Sequence, residues 1–158
     1  AAVETLEDMI YCLQPQIMIT WPPHGLSGHA DHIAASKWAK EAFNHARQGN
    51  GNFLKSLYYL AVPHSVAEAL GMDGLHATVD SEISIETDVG AVREIKRAAI
   101  GCHRTQAGSS PILQRSPRMQ EIFLGKEHFV RSELGDAEDV LTQLNSKMEA
   151  DKCMKSSG

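Results

Sequence analysis

The chain has 158 residues, 42% hydrophobic and 22% charged, which suits one globular domain with a buried core. Its formal net charge is −5, and no cluster of lysine and arginine indicates a surface for nucleic acid or anionic lipid, so we expect neither as a partner. No apolar run is long enough to span a bilayer, no signal peptide is recognisable, and the three cysteines lack paired spacing, so we expect a reduced, cytoplasmic location. The first residue is Ala1 rather than Met, and we expect the native start to lie upstream.

Hydrophobic spacing and breaker residues divide the chain into alternating helices and strands. In chain order, the first half is predicted to contain a helix over 1–14, a strand over 16–20, a loop rich in proline and glycine over 21–29, a helix over 30–47 and a strand over 54–62. The second half is predicted to contain a short helical turn within 64–74, a strand over 77–85, a helix over 89–106, a short helix leading into a strand over 119–129, and a last amphipathic helix that Asp136 caps. The alternation favours the α/β class with a mostly parallel sheet.

The segment Gly25–His32 lies between a predicted strand and the start of a predicted helix. Ligands of open parallel sheets bind at the carboxyl ends of strands, so this position suits a site. His29 and His32 are three residues apart and are expected on one side of the helix start. The helix N-terminus favours neutral imidazole, the form that binds metal, whereas the neighbouring Asp31 favours the charged form. The pattern suits one metal-binding and one proton-carrying histidine, although cap residues or surface groups explain the same string.

Three stretches carry motifs in a fixed order: residues 14–20 followed by 25–36, then 57–59, then 96–106. Together they resemble the LmbE-like (PIG-L) family of zinc-dependent N-acetylglucosaminyl deacetylases. In that family an Arg-Pro-Asp strand precedes Gly-His-Pro-Asp-His-x-Ala, and a later helix carries Lys-x-x-Ala-x-x-x-His-x-[Ser/Thr]-Gln. The resemblance implies a deacetylase domain over 1–134 that lacks its N-terminal strand and first metal motif. A C-terminal helix and a disordered tail are expected over 135–158.

The resemblance implies a Rossmann-like three-layer αβα fold and zinc-dependent removal of an acetyl group from an N-acetylglucosamine-type amide. It also implies a small-molecule amino-sugar substrate and a homo-trimer or homo-hexamer. Carried over by motif, His32 is the zinc ligand, and His29 faces the substrate carbonyl. Asp31 orients a histidine, and His103 approaches the pocket from the third long helix.

The chain departs from the family at Ala30, where proline is usual, and at Gln16, where aspartate is usual, but neither position is a ligand. The larger departure is the absence from this chain of the first signature, His-Pro-Asp-Asp-Glu, which supplies two further zinc ligands and the general base. The family places that signature upstream of the region matched here. A non-catalytic binding module, an incomplete fragment of such an enzyme, and an amidase acting on a thiol conjugate therefore remain as alternatives.

Other residues near the motifs have both a functional and a structural interpretation. His24 either contacts substrate or is a plain loop residue, and Arg104 either binds a polar substrate group or is solvated. Trp21 either stacks on a sugar or packs on the core, and Cys102 is interpreted as a small core residue. The remaining histidines stand in no ligand spacing and are expected to have no chemical role: His45, His64, His76 and His128.

Overall fold

A computed structural model describes residues 1–108, 112–134 and 141–148 of the chain. Its helices, in chain order, are α1 (Ala2–Leu13), α2 (Gly25–Gly28), α3 (Ala30–Gln48), α4 (His64–Leu70), α5 (Arg93–Gly101), α6 (Arg104–Ala107) and α7 (Pro117–Leu124). Its strands are β1 (Ile17–Thr20), β2 (Ser56–Ala61), β3 (Ile85–Asp88) and β4 (Lys126–Leu134). Short 3-10 helices occupy Asp80–Glu82 and Gly90–Val92, and residues 141–148 are helical.

The described strands form one mixed sheet in the order β1-β2-β4-β3. β1 and β2 are parallel, whereas β4 runs antiparallel to both β2 and β3. The α/β class is confirmed, but the predicted predominance of parallel pairing is wrong for these strands. The alternation of helices and strands does not reveal that β4 enters between β2 and β3 in the opposite direction.

The first half of the chain builds the larger apolar core. α1 ends where Gln14 adopts a left-handed conformation (φ 46°) ahead of Pro15, and α3 ends at Gly49. α1 and α3 pack together on one face of the sheet and bury an apolar cluster: Ile10, Ala42, Phe43, Ala46, Leu54 and Leu57. The predicted helices and strands over 1–62 are confirmed to within a few residues, because apolar spacing and breaker residues mark them, whereas the predicted loop over 21–29 contains the short helix α2.

The opposite face of the sheet carries a smaller cluster. Alternate residues of β2 point to opposite faces, so Leu57 joins the first cluster and Tyr58 packs with Ile85 and Phe129 in the second. Leu141, in the helical segment 141–148, packs against this second cluster. The two clusters together hold β2 at the centre of the packing.

The predicted strand over 77–85 is wrong for most of its length. Thr78 makes only an isolated bridge with Pro63, and the polar residues Asp80–Glu82 form a 3-10 turn before β3 begins at Ile85. The Asp80 carboxylate accepts a hydrogen bond from the Ser65 amide (3.1 Å), which holds the turn against α4. A side-chain acceptor of this kind competes with strand pairing.

The predicted helix over 89–106 is divided into Gly90–Val92, α5 and α6. Asp88 caps the first turn, since its side chain accepts a hydrogen bond from the Gly90 amide (2.8 Å). The predicted apolar face is not buried, because Ile95 is 69% exposed and Cys102 is exposed. The interpretation of Cys102 as a core residue is therefore wrong.

The predicted cap at Asp136 and the predicted disordered tail lie outside the described residues. Among the helices that the structure describes, none combines the length and the apolar character needed to cross a bilayer.

Candidate functional site

The loop that follows β1 owes its shape to left-handed backbone conformations. Gly25, Leu26 and Gly28 have φ of 68°, 63° and 74°. Glycine adopts such angles at no steric cost, whereas leucine does not. A Cβ on Gly25 would lie 2.8 Å from Cγ1 of Ile33, so the loop backbone sits directly against the start of α3. The loop therefore brings its carbonyl groups to the side chains of the first turn of α3.

His32, half-buried in that first turn, is fixed from two sides. Its Nδ1 lies 3.1 Å from the carbonyl oxygen of Gly25, and its ring stacks on Trp21 with centroids 3.8 Å apart and an interplanar angle of 3°. A carbonyl only accepts hydrogen bonds, so Nδ1 donates, and in the neutral ring Nε2 keeps its lone pair. Nε2 of His32 is thus the nitrogen available to a metal.

His29, the residue before α3, has the opposite hydrogen-bonding arrangement. Its Nδ1 accepts a hydrogen bond from the Asp31 amide (3.2 Å) and so caps the helix. In the neutral ring the proton is then on Nε2, which makes Nε2 a donor. The Asp31 carboxylate lies 3.9 Å from the same Nδ1, and the rings of His29 and His32 are 4.8 Å apart. The two neighbouring imidazoles therefore present one lone pair and one N–H.

A second pair of histidines lies beside the same loop. The rings of His24 and His76 are 5.1 Å apart, and the His76 amide donates to the Leu26 carbonyl (2.7 Å). Desolvation lowers the pKa of His24 below its usual value, and charge repulsion from His76 lowers it further. His24 is therefore a neutral imidazole near pH 7. The position of His76 beside the loop does not follow from spacing, since His76 is 47 residues beyond His29 in the chain, and its predicted lack of a chemical role stays a prediction.

An apolar cavity of about 210 Å³ opens next to Trp21, at the carboxyl end of the parallel pair β1 and β2. Its walls come from Trp21 and Leu26, from the end of β2, and from α4, α5 and α7. The carboxyl edge of parallel strands is where ligands of open α/β sheets bind. The cavity and the histidines therefore share one edge of the sheet.

Charged groups at the rim of this cavity are already paired. Nζ of Lys96 lies 2.6 Å from Oε1 of Glu127, and Glu86 bonds both Lys126 and the buried His128. The hydrogen bond from Lys126 is the main cause that lowers the pKa of Glu86, and His128 adds to it against the opposing effect of desolvation. The rim is thus ionic but internally neutralised.

The structure does not bring every predicted site residue to the loop. His103 and Arg104 follow α5 and are exposed, and neither of these two described side chains lines the cavity. Their predicted roles are not tested by this arrangement and stay predictions.

The donor atoms in the described part of the chain suit one metal ligand and not a complete site. Within residues 1–108, 112–134 and 141–148, no three His, Cys, Asp or Glu side chains are grouped to hold an ion. His32 nevertheless has the geometry of a single imidazole ligand, with Nδ1 anchored to a carbonyl and Nε2 open.

No protein-family model matches the chain. Curated proteins that resemble it are named 1D-myo-inositol 2-acetamido-2-deoxy-alpha-D-glucopyranoside deacetylase. The one from Saccharomonospora viridis is 29% identical in an alignment 125 residues long, which covers 69% of this chain and 44% of that protein. The one from Segniliparus rotundus is 30% identical over 128 residues (67% and 39%), and the one from Acidothermus cellulolyticus is 29% identical over 149 residues (82% and 49%). The chain thus spans about half or less of the length of these relatives, and its resemblance to deacetylases is confirmed.

Among solved structures, the chain resembles GalB, the 4-carboxy-2-hydroxymuconate hydratase from Pseudomonas putida KT2440. The TM-score is 0.51 at 16% identity, and the likeness covers 88% of this chain and 61% of that one. At this identity the likeness concerns the fold alone.

Proposed function

We propose that this chain is part of a zinc-dependent N-deacetylase that removes the acetyl group from an N-acetylglucosamine-type amide. The observation that carries the proposal is the pair of neighbouring imidazoles with opposite tautomers, His32 with an open lone pair and His29 with an open N–H. Metal-assisted amide hydrolysis uses ligands that hold the metal and a hydrogen-bond donor to the developing oxyanion. The names of the relatives support the same reaction, since each is a deacetylase of an acetamido sugar.

In this proposal Nε2 of His32 is the zinc ligand that the described residues contribute. The Gly25 carbonyl fixes the tautomer, and Trp21 fixes the plane of the ring. The remaining ligands and the general base are assigned to residues outside those described. When bound, zinc supplies Lewis-acid polarisation of the amide carbonyl and activation of a water molecule.

His29 donates from Nε2 to the carbonyl oxygen of the acetamide as negative charge develops there. The amide of Asp31 donates to Nδ1 of His29 and so keeps the ring in the tautomer that presents Nε2–H. His24, as a neutral group beside the loop, is proposed to contact the substrate. We retain His103 as a catalytic and Arg104 as a substrate-binding residue, which requires that substrate or another part of the protein reach the end of α5.

The finer features implied by the family resemblance belong to the same proposal. The complete domain is a Rossmann-like three-layer αβα structure, supported by the parallel pair β1–β2 and by apolar clusters on both faces of the sheet. The enzyme acts in the cytoplasm on a small-molecule amino-sugar, as a homo-trimer or homo-hexamer.

The test is zinc stoichiometry on the 158-residue chain, on a version extended upstream in its native reading frame, and on the extended His32→Ala variant. The extended form is expected to bind one zinc, His32→Ala to bind none, and the matched control His64→Ala, an exposed histidine at the start of α4, to bind one. Zinc-dependent release of acetate from N-acetylglucosamine compounds then tests the reaction. If no form binds zinc, the deacetylase proposal fails and a binding module takes its place.

A further inference from the structure

We propose that the cavity beside Trp21 binds an apolar group of the amide substrate, a group of about six to eight carbon atoms. The inference rests on the proposed function for its placement next to an acetamide. The group is attached either on the amine side of the amide, as an apolar aglycone, or on its acyl side, as a longer chain.

The cavity walls are mostly apolar. Leu60 and Val62 at the end of β2, Val66 on α4, Ile100 on α5 and Phe123 on α7 contribute carbon surface from four elements. The polar groups at the rim are held by one another, since Lys96 pairs with Glu127 and Lys126 with Glu86. A hydrophobic lining with few polar groups selects an apolar ligand, because apolar surface gains free energy only when another apolar surface covers it.

Trp21 connects the cavity with the histidines of the loop. Trp21 lines the cavity, and its ring stacks on the ring of His32 with centroids 3.8 Å apart. An acetamide bound at His29 and His32, as proposed above, therefore lies on the side of Trp21 next to the cavity.

Leu26, one of the residues that line the cavity, has an unfavourable backbone conformation. This residue has φ of 63° and ψ of −50°, close to the γ-turn of positive φ, a rare and strained conformation for a residue with a side chain. It stands beside Gly25, which accommodates a similar angle without penalty. Strain retained at a site indicates that the strained side chain has a use there. The use that the geometry offers is an apolar contact between the histidines and the cavity.

The volume of the cavity limits the size of the apolar group that it can hold. An apolar cavity of about 150 Å³ holds one benzene molecule, so the volume of about 210 Å³ found here suits a somewhat larger group. Each methylene transferred from water is expected to tighten binding about fourfold until the cavity is full.

The experiment measures binding to the 158-residue chain in a Trp38→Phe background, where Trp21 is the remaining one of the two tryptophans and reports occupancy by fluorescence. One arm uses alkyl β-glycosides of N-acetylglucosamine from methyl to octyl, below their micelle concentrations. The other arm uses N-acyl glucosamines from acetyl to octanoyl. We expect Kd to fall about fourfold per methylene in one arm and to level off at about six to eight carbons. The arm that responds identifies the side of the amide to which the group is attached.

Three variants separate binding in the cavity from non-specific hydrophobic binding. Val66→Phe fills the cavity and is expected to raise Kd at least tenfold for hexyl or hexanoyl compounds, while leaving the methyl and acetyl compounds unchanged. Val79→Phe, the same substitution at a residue 57% exposed and outside the cavity lining, is expected to change neither. Leu26→Gly removes the strained side chain, so it should weaken long-chain binding about fivefold without lowering the thermal unfolding temperature.

A flat dependence on chain length in both arms overturns the inference, as does an equal effect of Val66→Phe and Val79→Phe. Failure of the proposed function is distinguishable, because it shows as chain-length-dependent binding with no amide hydrolysis by the zinc-loaded enzyme, measured as release of the free amine from every compound. Amide hydrolysis that is independent of chain length, together with flat binding, overturns the cavity inference alone.

Discussion

The two pairs of histidines beside β1 are held in different ways. His29 and His32 are neighbours in sequence, and each has its Nδ1 fixed by a backbone group. His24 and His76 come from distant segments, and among the described contacts they meet through their rings. The first pair therefore has defined tautomers, whereas the second has a perturbed charge equilibrium.

The two arrangements suit different chemical roles at the same edge of the sheet. Fixed tautomers suit groups that must present a lone pair or a proton in a constant direction. A shifted pKa suits a group that must stay neutral next to a polar ligand. Three substitutions test this division.

The largest expected effect is on turnover by the complete zinc-loaded enzyme. His29→Ala removes the Nε2–H donor and should lower kcat about 10²–10³-fold while zinc remains bound. His76→Ala, from the other pair, serves as the control and should lower kcat much less. Steady-state kinetics combined with metal analysis measures both. Loss of zinc from His29→Ala would mean that the roles assigned to His29 and His32 are reversed.

The next effect concerns the loop that anchors His32. Gly25→Ala imposes a left-handed φ on alanine and brings its Cβ to 2.8 Å from Ile33, so it should destabilise the chain by about 2–4 kcal/mol in urea unfolding. Gly71→Ala shares the positive φ (58°) but has open space around it, so it should cost about 1 kcal/mol. Equal losses in the two variants would show that the contact with Ile33 is unimportant.

The smallest effect is on the second pair. His76→Asn removes the charge repulsion but leaves the desolvation, so NMR titration should find the pKa of His24 raised only part of the way to its usual value. The sign for stability follows: the folded pKa of His24 is lowered, so the unfolded chain binds the proton first as the pH falls. The contribution of His24 therefore destabilises the fold below about pH 6.5, and less so in His76→Asn. An unchanged or lowered pKa would refute the repulsion.

The sequence predicted the first half of the fold because local signals decide it. Pro15 and Gly49 end α1 and α3, and the apolar run of β2 is continuous. Non-local pairing decides the second half. The antiparallel entry of β4 and the turn at Asp80 depend on partners far away in the chain, and no periodicity reveals them.

The same distinction between local and non-local signals applies to the candidate site. His29, Asp31 and His32 are readable because a strand, a loop and a helix start follow one another in sequence. The approach of His76 depends on one backbone hydrogen bond to Leu26, and the stacking of Trp21 on His32 depends on the loop conformation. Neither follows from spacing. The sequence therefore predicts no chemical role for His76 and leaves two interpretations for Trp21.

The segment that carries His76 is tied at both ends to different loops. Its amide bonds the Leu26 carbonyl after β1, and two residues later Thr78 donates to Val62 and accepts from His64, after β2. The segment 76–78 thus connects the two loops through hydrogen bonds. We therefore expect the two loops to open together as one cooperative unit. Hydrogen exchange at the amides of His76 and Thr78 should therefore proceed at a common rate, and the two loops should become protected together.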